Sequence, residues 1–548
     1  MVPWIAPASL AFLVMLPRLA SPQFGLLDDG LTLQTGRETI GRWSSVLALI
    51  PETGRFFPAY WLVYAAVFGI VGVSPLAFFA INVLLLAGLL ALVARLVLSS
   101  GGTPAQAAVA VIVFAVCGPA IEAFYTLSKA EPLQMLWIGV SLLAVAVSAR
   151  ECRRETRAAL IVVAGVALVM AYTTKETSVA LVPVSLGWVA IEWSAGGTRP
   201  GWARFAKTYA ALNVGAGAVL LLLRSRYAAL PLAEGTYTRA YALHFDILGP
   251  AMFRISAWMI RDFAFLLPLL AAALVFVHRG PPAWRRGILY VAVWMGSWLV
   301  VYAPWPATFE YYLLPFAFGA AIFAGAVAGD LWGLRDRRRP PATRRMAWAA
   351  LATSGVLWLP AIMNSVSDAR VQLVVDRANA DLVDFCAGLP TDSHLVLNTT
   401  YANEYLYELP MHLAEIKMRP DLVVRHIGTP GSRGPGPTDV FVATPTIANR
   451  PAPTVRIAVH EAAARDDTTR LRELQTGSAE LVYTTERHAG IVEFGMQRLL
   501  CRVAMRPFID ASYCSNDRGM VYARTFTYGW LVHRLPRPPV ARAGASTS

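Results

Sequence analysis

Apolar runs recur through the first two thirds of the chain, at residues 4–20, 58–73, 76–97, 104–119, 132–149, 158–172, 178–193, 209–223, 257–277, 287–303, 312–329 and 346–363. About 20 apolar residues cross the hydrocarbon core of a bilayer as a helix, so such a series leaves the chain little choice but a bundle of membrane helices. Composition agrees: 56% of the residues are hydrophobic and 15% are charged, against about 25% charged in an ordinary soluble domain. Collagen-like, disordered and disulfide-scaffold classes are excluded on the same grounds.

A net charge of +13 would suit a nucleic-acid partner if it were clustered on one surface. Residues 364–548 hold 20 Lys+Arg and 19 Asp+Glu, which leaves 28 basic against 16 acidic residues in 1–363, placed between the apolar runs. Basic loops flanking spans set membrane orientation, no nucleic-acid motif is present, and no nucleic acid is expected as partner. Treating 58–73 as a helix lying along the outer interface leaves eleven spans. The segments 150–157, 194–208, 278–286 and 330–345, with 16 Lys+Arg, then all face the cytoplasm. Segments 21–57, 120–131, 173–177, 224–256 and 304–311, and everything after residue 364, face outward. The first run follows no basic segment and is read as an uncleaved first span.

These readings predict a membrane domain over 1–363, with a first outer loop at 21–57. A soluble extracytoplasmic domain over 364–535 and a disordered tail over 536–548 follow. The soluble part shows an amphipathic helix near 365–388, a helix at 402–418, and short apolar runs HLVLN, DLVVRH, DVFVAT, TVRIAVH and ELVYTT. Strands of about five residues with intervening helices make a mixed α/β domain. No CxxC or His/Cys cluster suggests zinc. Cys501 and Cys514 share the outer side and could pair, whereas Cys117 lies in a span and Cys152 reads as a free cytoplasmic thiol.

Acids of the membrane domain concentrate on the outer side: Asp28, Asp29, Glu38, Glu52, Glu122, Glu131, Glu176, Glu234, Asp246 and Glu310. Charge beside apolar spans is costly unless paired, wet or functional, so this placement points to a polar chamber opening outward; solvated loop ends are the alternative. The sharpest feature is Leu26-Leu27-Asp28-Asp29-Gly30. Adjacent carboxylates raise each other's pKa when desolvated, and one can act as a base or hold a cation; an exposed turn is the other reading. Arg55, Lys175, Arg224, Arg226 and Arg239 are candidate phosphate ligands, because guanidinium groups fork onto phosphate oxygens, and Lys129 is placed with them at the donor site. Arg224 and Arg226 end a span, where snorkelling is the competing reading, and Lys129 and Lys175 can instead be paired internally, Lys175 with Glu176 or another acid.

The acidic pair is followed in order by Gly54-Arg55-Phe56-Phe57-Pro58, Asn82, Lys129-Ala130-Glu131, Lys175-Glu176 and Phe309-Glu310-Tyr311-Tyr312-Leu313-Leu314-Pro315. In this order and spacing the chain resembles the glycosyltransferase C superfamily, closest to protein O-mannosyltransferases and to transmembrane and tetratricopeptide-repeat mannosyltransferases, over residues 20 to about 330. Tyr311 stands where the family pattern places an Arg, the His before Asn82 is absent, and the carboxyl-terminal domain lacks the repeats. The resemblance implies a glycosyltransferase C fold and inverting transfer of a sugar from a polyprenyl-phosphate donor to a glycan, lipid or protein acceptor, at the outer face of a bacterial plasma membrane. It implies Asp28 as catalytic base with Asp29 orienting it, and Glu131, Glu176, Glu310 and Tyr311 lining the donor site. No Rossmann or Walker fingerprint is present. No cofactor is required by these motifs, although a carboxylate pair can hold a divalent cation. A multi-span transporter and an O-antigen ligase or polymerase are the alternatives.

Overall fold

The computed structural model describes residues 2–26, 28–42, 57–151, 153–196, 200–227, 248–277, 282–304, 309–335, 340–398, 402–426, 439–448, 479–494 and 521–535. Its helices are α1 (Val2–Ala20), α2 (Asp29–Gly41), α3 (Pro58–Val71), α4 (Pro75–Ser99), α5 (Pro104–Ala115), α6 (Gly118–Tyr125), α7 (Ala130–Ser148) and α8 (Arg154–Thr174). They continue as α9 (Leu181–Ser194), α10 (Pro200–Tyr227), α11 (Leu248–Phe263), α12 (Leu266–Val277), α13 (Pro282–Tyr302), α14 (Leu314–Gly333), α15 (Pro341–Ala387) and α16 (Ala402–Ile416). Short 3₁₀ turns, Glu176–Ala180 and Glu310–Leu313, lead into α9 and α14.

Among the described residues seven helices are long and apolar enough to cross a membrane, or nine if each of two bent pairs counts as one span; Ile5–Ala20 and Pro58–Val71 are shorter apolar helices. The chain is a multi-pass helical membrane protein with a mixed α/β domain at its carboxyl end. Proline punctuates the bundle: Pro58, Pro75, Pro104 and Pro315 stand in the first turns of α3, α4, α5 and α14, where a missing N–H is no loss. The 14 residues of α3 run only about 21 Å, short of the roughly 30 Å core.

Several elements differ from the sequence reading. The run 104–119 is broken between α5 and α6 by a 58° bend. The run 257–277 is broken between α11 and α12 by an 84° bend, and Arg261 and Asp262 sit just before the break. The span at 346–363 and the helix at 365–388 are one helix, α15, of 47 residues. At 1.5 Å per residue it runs about 70 Å, so it carries the bundle directly into the soluble domain.

That domain is a five-stranded sheet in the order β2-β1-β3-β5-β4, made of β1 (His394–Leu397), β2 (Val423–His426), β3 (Val440–Ala448), β4 (Glu480–Phe494) and β5 (Val521–Arg534). β1 pairs in parallel with β2 and β3, while β3–β5 and β4–β5 are antiparallel. β4 and β5 form a ribbon of 15 and 14 residues, far longer than the five-residue strands expected, and β5 was not expected at all. TVRIAVH, Cys152, Cys501 and Cys514 lie outside the described residues. The second half of α15 packs Val371, Val374, Ala378, Leu382 and Val383 onto Leu395, Leu397, Phe526, Tyr528, Trp530 and Val532. Leu26, from the first outer loop of the membrane domain, is buried in this same core.

Candidate active site

The acidic pair opens α2, and its two members differ. Asp28 is the N-cap and adopts a left-handed backbone, φ 67°, a conformation that costs a non-glycine residue of order 1 kcal/mol and clusters at functional sites. An Asp at this position normally accepts hydrogen bonds from the second and third helical N–H groups, but here its side chain makes no cap bond. Its carboxylate is 39% exposed and stands 3.2 Å from Lys129 Nζ. Asp29 is buried at 2% exposure; Oδ2 accepts from Gly25 N at 2.7 Å and Oδ1 lies 3.0 Å from Ser128 Oγ. Ser128 also has a left-handed backbone, φ 60°, and its hydroxyl lies 2.9 Å from the Asp28 carbonyl oxygen and 2.6 Å from Thr32 Oγ1. Asn82 anchors the loop that carries Ser128 and Lys129, donating to the carbonyls of Phe124 and Thr126 at 3.0 and 3.1 Å.

The N–H groups of Gly30 and Leu31 are taken instead by the soluble domain. Glu408 of α16 accepts them on Oε2 and Oε1 at 2.6 and 3.2 Å. A Cβ at Gly30 would lie 2.7 Å from His412 and 2.9 Å from Glu408 Oε2, so glycine is required for this approach. Around the loop, buried Arg18 pairs with Asp376 of α15 at 2.7 Å, and Arg37 of α2 with Glu415 of α16 at 2.6 Å.

Beside the pair, the first turn of α7 and the end of α8 bring Glu131 and Lys175 into a buried ion pair. Tyr311 lies between two ammonium groups, with Lys129 Nζ 4.7 Å and Lys175 Nζ 5.7 Å from its ring centre, and Lys175 is 4.0 Å from the Tyr312 ring. Such cation–aromatic contacts hold charge in a desolvated setting. The Tyr311 N–H donates to Glu122 at 2.9 Å, and Glu310 accepts from Arg261 at 2.9 Å. Arg261 also pairs with Asp368 of α15 and lies 3.8 Å from Asp262. Gly118 fits against this cluster: a Cβ there would strike the Glu310 and Asp262 carboxylates.

The structure therefore brings Asp28, Asp29, Lys129, Glu131, Lys175, Glu310 and Tyr311 together. Glu176 stands at the rim, 3.9 Å from Arg224, whose side chain is 46% exposed. Arg55, Arg239 and the Arg226 side chain lie outside the described residues. Sequence reading gave Ser128, within the stretch Tyr125-Thr126-Leu127-Ser128-Lys129, no role of its own, and missed Arg261, Asp262, Asp368 and Glu408. Arg261 and Asp262 carried a usable signal, since ionisable residues inside an apolar run are functional by default; Glu408 carried none. A divalent cation fits the acidic pair poorly, because both Asp29 oxygens have hydrogen-bonding partners and Asp28 already faces an ammonium. Among the described residues no group of three or more His, Cys, Asp or Glu is placed to hold a metal.

No family model matches the chain, and no curated protein matches it in sequence. Among solved structures it is similar to ArnT from Cupriavidus metallidurans bound to undecaprenyl phosphate, with a TM-score of 0.48 and 15% identity over 87% of this chain and 96% of that one. The apo state of the same protein gives 0.48 and 16%, over 87% and 95%. The oligosaccharyltransferase AglB from Archaeoglobus fulgidus, in complex with an inhibitory peptide and a dolichol-phosphate, gives 0.47 and 11%, over 77% of this chain and 64% of that one.

Proposed function

We propose that this chain is an inverting glycosyltransferase of the glycosyltransferase C fold, moving a sugar from a polyprenyl-phosphate donor to an acceptor hydroxyl at the outer face of a bacterial plasma membrane. The observation that carries this reading is the unequal acidic pair. Asp29 is buried and spent on Gly25 and Ser128, while Asp28 is exposed, uncapped and beside Lys129. Asp28 accepts the proton of the acceptor hydroxyl as that oxygen attacks the anomeric carbon. The bond from that carbon to the phosphate oxygen breaks on the opposite face, and its electron pair leaves with the polyprenyl phosphate. Lys129 supplies positive charge next to the reacting carboxylate, and Arg224 is the described cation at the rim; both act by electrostatic stabilisation of the leaving phosphate. Arg55, Arg226 and Arg239 are assigned the same task. Glu131 holds Lys175, and Glu310 holds Arg261, as the walls of the chamber.

The test is transfer of labelled sugar from a synthetic polyprenyl-phosphate donor to envelope acceptors by the purified full chain, with Asp28→Asn as control. Transfer by the wild type and its loss in the variant support the reading. No transfer, with solute flux in reconstituted vesicles, gives the molecule to the transporter class.

A further inference from the structure

A cavity of about 590 Å³ lies at the end of the bundle opposite the acidic pair. α7 starts beside Asp28 at Ala130 and reaches the cavity at Leu142 and Ala149. The inner wall is aromatic: Trp188 stacks on Tyr290 at 5.0 Å between ring centres, with Trp202, Phe205, Trp294 and Phe318 around them. Three polar groups of the lining are already used. Trp188 Nε1 donates to Tyr290 O at 2.9 Å, Trp294 Nε1 to Pro315 O at 2.7 Å, and Gln106 Nε2 to Ala326 O at 3.0 Å. What faces the cavity is mainly apolar, which suits a hydrocarbon chain.

The lining also carries charge: it includes Arg150 and Asp330, and Asp330 accepts from Gln106 at 3.1 Å. Among the described residues, the segments 150–157, 200–208, 282–286 and 330–345 beside those lining residues hold 11 Lys+Arg against three acids. We infer that this cavity binds one acyl chain of an anionic phospholipid from the adjoining leaflet, with its head group at Arg150. Basic surfaces attract anionic head groups, and the aromatic depth receives the chain that such a head group carries.

The cavity can be filled without distorting the fold, because Gly201 and Gly287 both line it and a Cβ at either meets nothing within 4 Å. Native mass spectrometry of the full chain in detergent, with phosphatidylglycerol and phosphatidylcholine of identical chains as probes, tests the inference. The wild type should retain phosphatidylglycerol about fivefold better than phosphatidylcholine, and Arg150→Gln should erase that preference, since one basic group near an anionic surface is worth about that factor. Gly287→Leu and Gly201→Leu, tested separately so that one misfolded variant does not decide, should each lower retention about tenfold through lost chain burial. Retention unchanged in either folded variant overturns the site. Displacement of phosphatidylglycerol by equimolar undecaprenyl phosphate overturns the occupant.

A second inference rests on the assignment of Asp28 as base. The two N–H groups that an N-cap Asp28 would take, those of Gly30 and Leu31, are held by Glu408 from 378 and 377 residues away. We propose that Glu408 is a positioning residue: by capping α2 from the other domain it keeps the Asp28 carboxylate turned towards Lys129 and the chamber. Without it Asp28 is free to leave its left-handed backbone for the extended one that a capping side chain needs, and folds back on its own helix. Self-capping by Asp is worth about 1 kcal/mol, so Glu408→Ala should lower kcat about five- to tenfold, with the donor KM unchanged. Glu408→Gln, which keeps one acceptor oxygen, should restore most of it. Glu408→Asp, a methylene short of both N–H groups, should show the same kcat-specific loss if the Ala variant does not fold. Wild-type kcat in a folded Ala or Asp variant, with Asp28→Asn dead, overturns this role and leaves the base assigned. An active Asp28→Asn removes the reading beneath it.

Discussion

Replacing Asp28 by Asn keeps size and polarity but removes basicity. General-base catalysis contributes about 10²- to 10⁴-fold, so turnover should fall by that factor while donor affinity holds. Asp29→Asn fails for another reason. Oδ2 accepts from a backbone N–H and Oδ1 faces a serine hydroxyl; an amide can keep both by donating to the serine, but it gives up the charge that strengthens the Gly25 bond, at about 1 kcal/mol. Its mark should be a lower melting temperature together with lower activity, whereas Asp28→Asn should melt like the wild type. If both variants melt normally and stay active, the pair is only a turn. Dialysis against a strong chelator should leave transfer within about twofold, because Asp28 faces an ammonium where a metal-binding carboxylate would be open; loss restored by a divalent cation would show that the acidic pair binds a metal after all.

At the scale of elements, the meeting of α6 with the turn before α14 is decided by one glycine. Gly118 has no room for a methyl group against Glu310 and Asp262, so Gly118→Ala should push apart the carboxylates that Arg261 gathers. Overpacking of this kind costs about 1–3 kcal/mol; thermal denaturation in detergent, with sugar transfer alongside, measures it, and an unchanged melting point would mean that α6 yields freely. The sequence displayed the elements that hydrophobicity alone decides. Apolar runs of about 20 residues became helices, and Lys129, Glu131, Lys175 and Glu310 lie at helix starts or turns where the chain had to re-enter the bundle. It displayed poorly what depends on another segment. The break before Leu266 and the join through Asn364 are invisible to hydropathy, since an 84° bend and a 47-residue helix both read as ordinary apolar and amphipathic stretches. β5 was overlooked although VYARTFTYGWLVHR is rich in β-branched and aromatic residues, a composition that fits a pleated surface. The partner of Gly30 lies 378 residues downstream, and no local pattern points to it.

Taken whole, the protein has two hydrophobic cores that share parts: Leu26 belongs to the sheet domain, and Arg18 of α1 is neutralised by Asp376 of α15. A fragment ending at residue 363 takes that partner from Arg18 and uncovers Leu26. It should aggregate or run as several species in size-exclusion chromatography; a monodisperse, transfer-competent fragment would contradict this. Orientation is open to a direct measurement as well. Cysteines introduced next to Arg154 should be labelled only in permeabilised cells, and one next to Asp392 should be labelled from outside. Labelling beside Arg154 from outside would make residues 58–73 a twelfth span.

The contact between Glu408 and Gly30 also has a consequence in time. The acidic turn is synthesised 378 residues ahead of its cap. At about 5–20 residues per second the nascent chain therefore spends roughly twenty seconds to a minute with α2 inserted, its first N–H groups unclaimed, and Asp28 able to satisfy them itself. During that interval the membrane half is in place but its carboxylate is turned inward. A chain abandoned by the ribosome before α16 emerges stays in that state, so full turnover is reached only after residue 408 has been made.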